Sequence, residues 1–179
     1  VPFFAGVKWD ELGENGKQWP VKPDGTDTEI LHTESFKLGK GRFQTATWRE
    51  TEELKTNAEQ FPYILTTNRE LEHYNNGTMT RRTGNVEILT EDVLLINPTD
   101  AQKHNIVDGD MVCISSARGK IDVKAKITDE VKSGVVSSTF HFPDIHMNDL
   151  TSSVSDSEAL CPEYKVVAVS IRKSKGMYK

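Results

Sequence analysis

Two polar stretches carry most of the side chains able to do chemistry. The first reads Thr67-Asn68-Arg69-Glu70-Leu71-Glu72-His73-Tyr74-Asn75-Asn76-Gly77-Thr78-Met79-Thr80-Arg81-Arg82. Hydroxyl, amide, imidazole and guanidinium groups crowd an Asn-Asn-Gly turn, and such an array suits phosphate oxygens and the polar edge of a heterocycle. The same composition fits a solvated loop in which Arg81 and Arg82 simply answer Glu70 and Glu72. The second stretch, residues 139–165, contains His141, Asn148, Tyr164 and Lys165 and shows no clear period. Compact domains seldom carry so long an irregular connection without using it. His141 and His146 lack a third ligand nearby, which argues against a metal site. Cys113 and Cys161 form no CxxC and read as inert thiols. GxGxxG, GxxxxGK[ST], HExxH and GxSxG are all absent from the sequence, and no spacing marks a carboxylate pair as acid and base. The residues describe a binder of a polar ligand rather than a self-contained enzyme.

These stretches need a scaffold, and the rest of the chain supplies one. The sequence has 179 residues, 22 Lys+Arg against 27 Asp+Glu, a net charge of −5 and 36% hydrophobic residues. That length supports one domain with a real core and a polar extension. The acidic balance argues against nucleic-acid binding as the main task. No apolar run reaches the ~18–20 residues that a membrane span needs, and no signal-peptide pattern opens the chain. The chain begins at Val1 rather than Met, as expected of a fragment cut from something longer.

Residues 1–60 are punctuated by Gly, Pro, Lys and Glu and hold no sustained apolar period, which predicts an extended arm. Its aromatic load, Phe3, Phe4, Trp9, Trp19, Phe36, Phe43 and Trp48, is that of a segment packed on another surface. Residues 61–179 read as the globular body, with strands expected at 63–67, 93–96, 111–116, 120–128, 135–140 and 165–171. In the fourth, Ile121, Val123, Ala125 and Ile127 alternate with Lys120, Asp122, Lys124 and Lys126. Asn97-Pro98 opens a short helix through about His104. Six short strands with short helices point to a closed β-barrel.

Several segments together resemble a known family, the molybdopterin-dinucleotide-binding C-terminal domain of molybdenum or tungsten oxidoreductases, in particular the large (alpha) subunit of formate dehydrogenases. They are residues 67–74 with Thr78-Met79-Thr80-Arg81-Arg82, Ile96-Asn97-Pro98-Thr99-Asp100-Ala101, Asp108-Gly109-Asp110-Met111-Val112, Ser116-Ala117-Arg118-Gly119, Asn148-Asp149-Leu150-Thr151 and Pro162-Glu163-Tyr164-Lys165. The arm fits through Phe4-Ala5-Gly6-Val7 and Gln18-Trp19-Pro20.

The resemblance implies a mainly β fold, a six-stranded double-psi β-barrel of the aspartate-decarboxylase-like kind with short helices and an extended N-terminal arm. It implies molybdopterin guanine dinucleotide, as the bis form with molybdenum or tungsten, as cofactor. Thr67, Asn68, Arg69 and Thr78 would bond phosphate, ribose or pterin atoms, and Glu70 would accept from a guanine or pterin edge. His73 would sit near the pterin, while His141, Asn148, Tyr164 and Lys165 would contact the second face. The cysteine or selenocysteine metal ligand and the iron–sulfur cysteines of formate dehydrogenases are missing here and in the family lie upstream. The implied partners are the upstream catalytic domains of the same polypeptide and electron-transfer subunits, with no nucleic acid and no membrane insertion. The implied location is cytoplasmic, or periplasmic where the parent carries a signal upstream. Two alternatives stand beside this reading: the same domain from a nitrate, arsenate or polysulfide reductase, and a stand-alone double-psi barrel acting as a protein-interaction module.

Overall fold

The computed structural model describes residues 1–36, 38–157 and 159–175. The chain divides into two compact units, Val1–Thr47 and Trp48–Lys179. The first is built from turns. Two single 3-10 turns, Pro2–Phe4 and Trp9–Glu11, precede a segment pinned by the Val21 N–H donating to the Phe3 carbonyl at 3.0 Å. Val21 is buried, and Phe3 meets Trp19 edge to face with centroids 5.4 Å apart. Trp9, Phe36 and Phe43 of this unit are exposed.

The second unit opens with helix α1, Glu52–Asn57, capped by Thr51, whose Oγ1 accepts the Leu54 N–H at 3.1 Å. Six strands follow: β1 Tyr63–Thr67, β2 Val93–Ile96, β3 Met111–Ser115, β4 Lys120–Ile127, β5 Val135–Ser138 and β6 Val167–Lys173. Helix α2, Asn85–Ile88, precedes β2, and α3, Pro98–Lys103, follows it. The strands close in the order β1-β5-β2-β4-β3-β6. β1/β5 and β2/β4 run parallel, and the other neighbours are antiparallel. Closure leaves no edge unpaired, so short strands suffice. Alternation turns one face of each strand inward, and Leu65, Leu94, Ile96, Ile114, Val123 and Val136 form a fully buried interior.

The strand expectations coincide with the observed strands to within two residues at most ends, and the predicted helix is α3, with the Asn97 side chain accepting the Thr99 N–H. Residues 52–57, read in the sequence as arm, instead form α1 on β6, because Glu53 is buried and its Oε1 accepts the Ala168 N–H at 3.1 Å.

Asp100 on α3 ties the helix to the entry of β5. It is fully buried and accepts from the Gly134 N–H at 2.7 Å, Ser133 Oγ at 2.8 Å and Lys103 Nζ at 3.0 Å. Burial works against the charge, yet these donors hold its carboxyl below the usual carboxylate range. A lowered folded pKa stabilises above the unfolded value of ~3.9 and is lost as pH falls through the folded one. Asp100→Asn is therefore expected to unfold about 2 kcal/mol more easily at pH 7, with the gap to the parent closing in acid. Urea titrations at pH 7 and below pH ~3.9 check this, and an equal gap at both would refute it.

Candidate cofactor site

β1 delivers the first loop to one end of the barrel. Its last residue, Thr67, is buried, donates from Oγ1 to the Tyr164 carbonyl at 3.1 Å and accepts at its own carbonyl from the Lys165 ammonium. Thr67, Tyr164 and Lys165, 97 and 98 positions apart in sequence, thus meet where the second loop enters β6. Asn68 continues the β1/β5 ladder with its N–H on Ser138 O, and its side-chain amide donates to Ser137 Oγ at 2.6 Å.

From there the loop leaves the barrel and is locked by histidines. His141 is buried in the second stretch, with Nε2 accepting the Glu70 N–H at 3.1 Å and Nδ1 within 2.5 Å of the Asn75 carbonyl. Since a carbonyl only accepts, the network places the His141 proton on Nδ1. His73 is also buried, with Nε2 on the Leu89 carbonyl and Nδ1 on Thr80 Oγ1, both at 2.9 Å. Its ring meets those of His141 and Phe142 at 5.6 and 5.1 Å. Both histidines are therefore committed inside the protein, and they hold the loops rather than presenting ring nitrogens to a ligand.

The Asn-Asn-Gly turn is held as tightly. Asn75 has φ +51° and Gly77 φ +69°. A Cβ at Gly77 would lie 2.4 Å from the His141 carbonyl, so only glycine fits there. Arg69 donates from one guanidinium nitrogen to Asn75 Oδ1 at 2.7 Å, and Thr78 donates to Asn76 Oδ1 at 2.6 Å. Asn148 lies apart on a 3-10 turn, Met147–Asp149, and no hydrogen bond among the described residues joins it to the other candidates. Tyr164 packs edge-on against Phe140 and is 44% exposed.

Two anchors went unassigned in the sequence. Asp92, just before β2, is buried and accepts from Thr139 Oγ1, the Phe142 N–H at 2.9 Å and the His141 N–H at 3.3 Å. It fixes the start of the second stretch. Arg118 grips Glu53 with two nitrogens, at 2.9 and 2.8 Å, and donates to the Leu150 carbonyl at 2.7 Å. An acidic residue at the head of an apolar run was the available signal for Asp92.

The charges of the site are of particular interest. None of the ion pairs among the described residues involves Arg69, Arg81, Arg82, Glu70 or Glu72. No contact ion pair therefore ties the loop's guanidinium groups to its own glutamates. Beside the loop, a cavity of about 300 Å³ is bordered by Asn68 and Arg69 and by the acidic residues Glu70, Glu91, Asp92 and Glu130. Among the described residues no cluster of His, Cys, Asp or Glu is arranged to hold a metal ion. Cys113 is buried, and burial pushes its thiol up.

The model of the Molydopterin dinucleotide binding domain matches residues 63–168, which run from the first residue of β1 into β6. F420-dependent formate dehydrogenase subunit alpha of Methanocaldococcus jannaschii is 40% identical over 97% of this chain and 26% of its own length. F420-dependent formate dehydrogenase 2 subunit alpha of Methanococcus maripaludis is 39% identical over the same shares. A probable oxidoreductase of Bacillus subtilis is 34% identical over 92% of this chain and 17% of its own length. The chain thus spans about a quarter of the length of the formate dehydrogenase relatives. Acetylene hydratase from Pelobacter acetylenicus shares the fold at a TM-score of 0.56 and 16% identity, over 94% of this chain and 28% of that one. No helix among the described residues is long and apolar enough to cross a membrane. With β1 to β5 and both site loops inside the matched span, the chain belongs to the Molydopterin dinucleotide binding domain family.

Proposed function

We propose that this chain is the part of a formate dehydrogenase alpha-type subunit that holds and orients molybdopterin guanine dinucleotide, as the bis form with molybdenum or tungsten. The observation that carries the reading is the set of guanidinium groups on residues 69–82 without carboxylate partners, on a backbone locked by His73, His141 and Gly77. Such donors suit a polyanion with a heterocyclic end. The names of the 39–40% identical relatives support the formate assignment. When bound, the cofactor supplies the two-electron chemistry that converts formate to CO2.

The chain's own residues bind and orient. Arg69 and Thr78 hold phosphate or ribose oxygens at the rim, Asn68 and Glu70 meet the donor and acceptor edges of a heterocycle beside the cavity, and Tyr164, Lys165 and Asn148 close from the second loop. Thr67, His73 and His141 position these groups from beneath. The exposed rings of Val1–Thr47 pack on upstream catalytic domains of the same polypeptide, which also hold the iron–sulfur cluster and meet electron-transfer subunits in the cytoplasm. A formate-dependent dye reduction assay tests the division of labour. The native polypeptide bearing this sequence is expected to be active and the isolated 179 residues silent. Activity in the isolated chain, or none in the native polypeptide, would overturn it.

A further inference from the structure

We infer that Arg81, rather than the more exposed Arg69, is the principal anion-holding residue of this site; the inference rests on the dinucleotide reading just proposed and adds where the negative charge sits. The Arg81 backbone N–H donates to the Gly77 carbonyl at 2.9 Å, and the Arg81 side chain lies back across the same turn. There it lies so close to the Gly77 α-carbon that a Cβ would stand 2.9 Å from Nε and 3.2 Å from Cδ. The guanidinium carbon stands 5.9 Å from the centre of the Phe142 ring, so the side chain spans the seam between the two loops.

Its Nε is buried and has no hydrogen-bond partner. No carboxylate lies within ion-pair distance among the described residues. The two imidazoles at the seam, His73 and His141, are bonded to Leu89, Thr80, Glu70 and Asn75 and supply no negative charge. A guanidinium cannot shed its proton, and a buried Nε–H without an acceptor is costly until one is supplied. Its fork matches two oxygens of a phosphate group. Arg69, by contrast, already spends a nitrogen on Asn75 Oδ1 and serves the turn. The bare α-carbon of Gly77 is what admits the Arg81 side chain to this position.

The test replaces Arg81 with Met, which keeps an apolar stem over Phe142, and with Lys, which keeps charge without the fork; Arg69→Met is the comparison. Each is made in the native polypeptide bearing this sequence. Dinucleotide per chain is read by mass spectrometry after denaturation, and circular dichroism confirms folding. Arg81→Met is expected to lose roughly tenfold of the bound dinucleotide, Arg81→Lys an intermediate amount and Arg69→Met the least. A folded Arg81→Met protein that keeps its dinucleotide, or loses no more than Arg69→Met, overturns the inference. A parent polypeptide without dinucleotide would instead refute the proposed function. Titration of the 179-residue chain with inorganic pyrophosphate then decides on Arg81 alone. Binding that Arg81→Met abolishes supports it, and no binding, or binding that survives, refutes it.

Discussion

Replacing Arg118 with alanine is expected to lower the stability of the chain by about 3 kcal/mol, with the melting temperature falling roughly 6–12 °C. Glu53 is 3% exposed, and without Arg118 it keeps, among the described residues, only the Ala168 N–H at 3.1 Å and the Asn57 amide at 3.2 Å. Burial and the Glu53 charge push the Glu163 carboxyl up, so the loss of Arg118 leaves Glu53 with a like charge in its field and no cation bonded to it. The Arg118 side chain is 29% exposed, which places the cost at the lower end of the range for broken buried pairs. The Leu150 carbonyl also loses its donor, so the second loop loosens with the helix. Replacing Glu53 and Arg118 together with methionine is expected to recover part of the loss, because the desolvation cost of both charges disappears. Thermal unfolding followed by circular dichroism distinguishes the cases. A single Arg118→Ala variant within ~0.5 kcal/mol of the parent would show that the pair does not hold α1 to the barrel.

Asp92→Ala is expected to cost about 2–4 kcal/mol and to loosen both site loops at once. The carboxylate accepts two backbone N–H groups, from His141 and Phe142, and alanine leaves both buried without a partner. The Thr139 hydroxyl can turn elsewhere, but the N–H groups cannot. Since His141 is also the acceptor for Glu70 N–H and the donor to Asn75 O, freeing its backbone slackens the first loop as well. Hydrogen exchange of residues 70–77 is expected to accelerate along with 141–142, while β3 and β4 keep their protection. Acceleration confined to 141–142 would show that the loops are not coupled through His141.

The strands were legible because each carries its own record of burial. β4 alternates apolar and charged residues over its whole length, and the interior takes Val123 and Ala125 while Lys124 and Lys126 stay outside. Helix α1 was not legible for a specific reason: its one buried residue is Glu53, so no hydrophobic period marks it, and the partner that makes burial tolerable lies 65 positions away. The site was half legible. Residue types such as the arginines and the Asn-Asn-Gly turn announce a polar binding loop. Which histidines face a ligand and which lock the scaffold depends on pairs 66 and 71 residues apart, which no local pattern records. The same holds for the arginines. Their sequence neighbours Glu70 and Glu72 make a local ion-pair reading reasonable, and only the folded geometry shows that it does not form.

The most direct test of dinucleotide binding is a mass and metal analysis of the native polypeptide bearing this sequence. The protein is denatured, the released nucleotide identified by mass spectrometry, and molybdenum, tungsten and iron counted on the same sample. Molybdopterin guanine dinucleotide with molybdenum or tungsten is the expected result, with iron present in the same polypeptide. A native chain that releases no pterin nucleotide and contains neither metal would contradict the account.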